Sequence, residues 1–136
     1  MTLAANALQK AVYARLTASL GGVAVYDHAP QNAAFPYVLI GDDTAVTWDT
    51  KTRDGQEYTL TIHCWDAPKA GRKSVKAVAA QIYAALHRQE DSIPVTGYRL
   101  VLLIWEFMDT FQEPAEGDAD RYYHGVLRFR ALVQDA

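Results

Sequence analysis

Residues 97–110 read GYRLVLLIWEFMDT, a strand without a polar face. Side chains alternate between the two surfaces of a sheet. Tyr98, Leu100, Leu102 and Ile104 therefore fall on one surface, and Val101, Leu103, Trp105 and Phe107 on the other. Both sets are apolar, and both need cover. Only two stretches of the chain have helical periodicity, enough for one side of a sheet. The second surface is expected to be covered by another protein molecule, which favours assembly over chemistry.

The rest of the chain supplies those elements within one domain, residues 1–136, a length typical of a single compact unit. Leu8, Val12, Leu16 and Leu20 recur every four positions and predict a helix over 3–20, with Thr2 as N-cap and Gly21-Gly22 as its stop. A short VAVY segment and a turn-rich stretch lead to a strand at 37–47. Asp54-Gly55 is a hairpin signal. The strand after it alternates cleanly, Tyr58, Leu60, Ile62 and Cys64 against Thr59, Thr61, His63 and Trp65. Val75, Val78, Ala79, Ile82, Tyr83 and Leu86 give the buried face of a second helix, 71–89. Arg72, Lys73 and Lys76 crowd its start, against the helix dipole, facing either an anionic surface or solvent. A last strand, 121–133, turns Tyr123, Leu127, Phe129 and Val133 to one side and His124, Arg128 and Arg130 to the other.

The expected fold is α/β in the α+β sense: helix, hairpin, helix, hairpin. It has one mixed, mainly antiparallel sheet of four strands with both helices on one face. Four strands about 4.8 Å apart make a sheet about 19 Å wide, which two helices about 10 Å across just cover on one side.

Little in the chain suggests catalysis or a cofactor. A net charge of −3 gives no basic footprint for nucleic acid. Cys64 is the single cysteine, so neither an internal disulfide nor a cysteine-rich zinc site is expected. His28, His63, His87 and His124 lack the spacing of a zinc pair, and His63 and Cys64 are neighbours on opposite faces. No phosphate-binding glycine motif and no nucleophile elbow occurs, so no metal, cofactor or catalytic residue is assigned. No signal peptide and no apolar run long enough to span a membrane is present, and the expectation is a soluble protein made in the cytoplasm.

Contact residues are the better candidates. Trp48, Arg53 and Asp54 lie in the polar hairpin, and Glu113, Glu116 and Asp118 in an acidic loop. Loops on a rigid sheet often carry contacts, although both could simply be solvated. Trp65, Leu103, Trp105 and Phe107 mark the second apolar surface. Arg128 and Arg130 would form an ionic seam with a neighbouring subunit's acidic loop, or protect an edge strand by charge.

The segments LQKAVYARLTASL, VYDHAP, FPYVLIG, EYTLTIHCW, IYAAL and HGVLRFRALV, in that order, resemble the tail-terminator or tail-completion proteins of long-tailed phages and phage-derived gene transfer agents. The resemblance covers nearly the whole chain, and its motifs are structural. It implies a homo-oligomeric ring, a hexamer, on the head-proximal end of the tail tube. Such a ring stops tube polymerisation, meets the head–tail connector proteins and passes DNA through a channel. Another connector, a tail-tube subunit or a small-ligand-binding α+β domain are the alternatives.

Overall fold

The computed structural model describes residues 1–67, 69, 71–113 and 122–136. In chain order the elements are α1 (Ala5–Ser19), β1 (Ala24–Tyr26), β2 (Tyr37–Thr47), β3 (Gly55–Asp66), α2 (Gly71–Leu86), a 3-10 turn (Glu90–Ser92), β4 (Tyr98–Glu113) and β5 (Tyr122–Asp135). The fold class is the expected α+β one, but the sheet has five strands, not four. The VAVY segment adds β1, which pairs parallel to β2 through Ala24, Val25 and Tyr26. The sheet order is β1-β2-β3-β5-β4, and every pair after the first is antiparallel.

Both helices lie on one face. Leu8, Val12 and Leu16 of α1 and Val75, Val78, Ala79, Ile82 and Leu86 of α2 are buried with Val38, Tyr58, Leu60, Ile62 and Cys64 of β2 and β3. Leu127, Phe129, Ala131 and Val133 of β5 complete that core. Each buried Val, Leu, Ile or Phe contributes roughly 1.5–3 kcal/mol by leaving water, so the alternation seen in the sequence decides which way the sheet faces. Gly125 of β5 has room for no side chain, since a Cβ there would stand 2.7 Å from Cys64 Sγ. Burial also pushes the Cys64 thiol up to about 12.

Four local expectations change. Helix α1 has Ala4 at its N-cap with no side-chain cap, and the Thr2 hydroxyl pairs instead with the Tyr98 hydroxyl. The β2–β3 turn runs through Thr50 and Arg53, which exchange hydrogen bonds, while Gly55 already belongs to β3. Helix α2 ends at Leu86, and Tyr83, expected inside, is exposed. Strand β5 lies inside the sheet and β4 is the edge, so Arg128 and Arg130 do not protect an edge strand.

The apolar strand itself differs most. Two bulges interrupt the β4–β5 ladder, between Leu100 and Leu102 and between Trp105 and Phe107. Each inserts one unpaired residue and shifts the alternation that follows. Leu100 and Leu103 consequently sit over Val133 and Ala131 on the helix side, whereas Leu102 and Ile104 pair with Leu132 and Arg130 on the open side. Leu103, assigned to the outer surface by strict alternation, is 0% exposed in the core.

Candidate functional site

Among the described residues, no helix or strand covers the face of the sheet opposite the helices. At one end it is aromatic. Tyr37 of β2 stacks on Trp65 of β3 with centroids 5.1 Å apart, and Trp65 stacks on His124 of β5 at 4.3 Å. Phe35 packs on Tyr37 at 5.7 Å and on Tyr122 at 5.2 Å, and Phe111 tilts onto His124. The strand register explains the grouping: Tyr37 pairs with Trp65, Trp65 with His124, and His124 with Phe111.

A polar chain threads this cluster. His63 Nδ1 lies 2.8 Å from His124 Nε2, and His124 Nδ1 lies 2.8 Å from Glu113 Oε1. The indole N–H of Trp65 donates to Glu113 Oε2 at 3.4 Å. One tautomer set fits both contacts: His63 Nδ1–H donates to His124 Nε2, and His124 Nδ1–H donates to the carboxylate. Burial holds His63 below its usual pKa, the nearby His124 adds to this, and Asp42 and Glu113 oppose it more weakly. The ring of His63 fits because residue 41 is glycine; a Cβ there would lie 2.6 Å from it.

Beside the chain is a cavity of about 440 Å³ lined by Pro30, Gln31, Asn32, Ala33, Phe35, Tyr37, Trp65, Glu113 and Tyr122. Burial raises the Tyr37 pKa, with the charges of Glu113 and Tyr122 adding to it, so the phenol stays neutral.

The other end of the open face is ionic. Arg130 Nη1 reaches Glu57 Oε1 at 3.4 Å, and Nε stands 3.8 Å from Glu106 Oε2. The Arg128 guanidinium lies 5.1 Å above the Phe107 ring. Such exposed pairs are each worth at most about 1 kcal/mol.

The contact residues expected from sequence therefore separate into groups. Trp65 and Glu113 meet in the aromatic cluster, while Phe107, Arg128 and Arg130 share the ionic one. Trp105 stands apart at the sheet edge, edge-on to Tyr83, and its backbone N–H donates to His87 Nδ1. Trp48, Arg53 and Asp54 lie at the far end, where Asp54 pairs with the N-terminal amine at 3.1 Å and Arg53 reaches the Asp135 carbonyl. This hairpin is fastened to its own subunit. Glu116 and Asp118 lie outside the described residues. Among the basic residues of α2, Arg72 stacks over Tyr123 at 5.6 Å.

Sequence reading missed the His63–His124–Glu113 chain. Alternation placed His63 beside Trp65, but the partners come from strands whose register is not readable locally. Among the described residues, no group of three or more His, Cys, Asp or Glu is arranged to hold a metal.

Aromatic rings interleaved with paired charges are the composition that protein interfaces favour. The family model described as tail completion protein gp17 matches residues 7–134. The chain belongs to that family. Its role is a structural one in a phage-like tail. No curated protein sequence matches the chain. Among solved structures, a chain from the virion of a native gene transfer agent particle superimposes with a TM-score of 0.79. It is 30% identical, over 98% of this chain and 99% of that one.

Proposed function

We propose that this tail completion protein forms a homo-oligomeric ring, a hexamer, on the head-proximal end of a phage-like tail tube. The ring ends tube polymerisation and joins the tail to head–tail connector proteins, and DNA passes through it only as cargo. Assembly takes place in the host cytoplasm, and the protein ends in the particle at the head–tail junction. The reading rests above all on the end-to-end match to a chain of a gene transfer agent virion.

Two features of the subunit support it. Trp105, Phe107 and Met108 are 38%, 42% and 41% exposed on one short stretch of β4. That strand is also the sheet edge. The carbonyl of Leu103 and the amide of Trp105 are taken by Arg88 and His87 just after α2, and among the described residues no strand flanks β4 beyond them. An exposed apolar edge invites pairing with another chain, and closed cyclic symmetry limits such pairing to a ring.

The test is capping. Purified protein added to growing tail tubes should fix their length, and electron micrographs should show a ring at one end. Tubes of unchanged, uncontrolled length would refute the assignment. Deleting residues 49–54, with the fold preserved, tests whether the polar hairpin reaches the tube. If it does, the variant fails to cap.

A further inference from the structure

We infer that copies of this chain join head to tail as one continuous sheet, the β4 edge of each pairing antiparallel with the open end of β2 in the next. The inference rests on the proposed ring and names its contact. The two edges bound opposite sides of the sheet. Strand β1 covers β2 only from Tyr37 to Leu39, and Asp42 to Thr47 are all exposed. Arg88 and His87 hold β4 as far as Trp105, and Trp105 to Asp109 are all exposed.

Direction, face and length all agree. Three successive antiparallel pairings, β2–β3, β3–β5 and β5–β4, make β4 run opposite to β2. A copy set beside the first in the same orientation therefore continues the antiparallel order, helix side to helix side. Both edges are apolar. On the open side stand Phe107, level with Arg128, and Val46, 55% exposed and level with Glu57. On the helix side stand Met108 and Ala45, level with the core residues Leu127 and Tyr58. Leu3, 75% exposed, lines one cavity with Ala45 and Val46 and extends that apolar edge. Setting Phe107 opposite Val46 brings Met108 opposite Ala45, and β4 then ends near Ile40, just short of β1.

This register needs a stagger between copies. Through β5, Phe107 stands level with Thr61 of β3, whereas Val46 stands level with Glu57, four residues away. At the rise of a strand that is a shift of about 13 Å. An even shift keeps each face continuous, and strands tilted around a closed ring require a shift of this kind. Without it, Asp43 would come level with Trp105 and adjoin Glu106, like charge beside like charge. A twofold pairing of β4 with β4 would leave the β2 edge bare and could not build a ring.

Disulfide trapping in the whole chain tests the contact, with Val46→Cys plus Phe107→Cys as one pair and Ala45→Cys plus Met108→Cys as a second. Opposed residues on adjacent strands have Cα atoms about 4.5–5.5 Å apart, within disulfide reach. Inside one subunit β3 and β5 separate the two sites, and the native Cys64 is buried. Oxidised at millimolar concentration or on tail tubes, each double variant should give a ladder of covalent multimers on non-reducing denaturing gels. Each single variant should stay monomeric, and a mixture of the two singles should stop at dimers. Dimers from Phe107→Cys alone would show β4 pairing with β4 and overturn the inference, as would the absence of multimers from both pairs. A ladder in protein that fails to cap tubes would refute the cap and keep the contact. Capping without a ladder would do the reverse.

Discussion

The two faces of the sheet are built on different principles. Under the helices the side chains are mostly apolar and closed to water: Val38, Ile62, Leu127, Phe129, Ala131 and Val133 are all 0% exposed. On the opposite face the same strands carry Tyr37, His63, Trp65, His124, Arg128 and Arg130, joined by stacking, hydrogen bonds and an ion pair. One face holds the subunit together through burial, which needs no partner. The other pairs many of its polar side chains locally and leaves broad amphipathic surfaces, the composition that protein interfaces favour. A strand that is apolar throughout thus serves two customers, the subunit core and a neighbouring molecule.

Truncating each face in turn should separate these roles. Phe129→Ala, in the closed core, should lower stability by about 3–5 kcal/mol, measured by chemical denaturation. Phe107→Ala should cost the isolated subunit less than about 1 kcal/mol while impairing assembly, since its ring is half in water. Similar losses of stability at the two sites would break the comparison. Gly125→Ala comes next: the new methyl would press on Cys64 Sγ, and overpacking of this kind costs about 1–3 kcal/mol. A variant as stable as the parent would show that the core gives way more easily than its geometry implies.

Acid should act on the open face through His63. The pKa of His63 is lower folded than unfolded, so the unfolded chain takes up the proton first as pH falls below about 6.5. The associated stability is therefore present above that pH and lost as pH drops toward the depressed folded value. Thermal melts at pH 7.5 and 5.5 should differ, and His63→Gln should narrow the difference. An unchanged gap would assign the acid sensitivity elsewhere. The smallest effect concerns Cys64, whose buried thiol stays protonated at neutral pH. Native protein should resist a thiol reagent that labels the unfolded chain at once, and rapid native labelling would contradict a closed core.

What the sequence revealed follows from the range over which each signal acts. Helices α1 and α2, the β2–β3 hairpin and the buried side of β5 come from periodicity within a few residues, and they were legible. The VAVY segment is too short to declare itself a strand until β2 lies beside it. The bulges of β4 are set by its partner, so strict alternation put Leu103 on the wrong side. Trp65 and Glu113 were picked out singly as contacts. Their union with His63 and His124 needed the pairing of β3 with β5, about sixty residues apart, which no local pattern encodes.

That pairing has a consequence in time. Strand β5 stands between β3 and β4, yet the ribosome makes it after both. While β5 is still being synthesised, β1, β2 and β3 can form only a partial sheet, and β4 has no strand to join. Folding is therefore completed by insertion from the late end, and the emerging chain carries two unfilled strand edges that a chaperone, or a premature neighbour, can reach first.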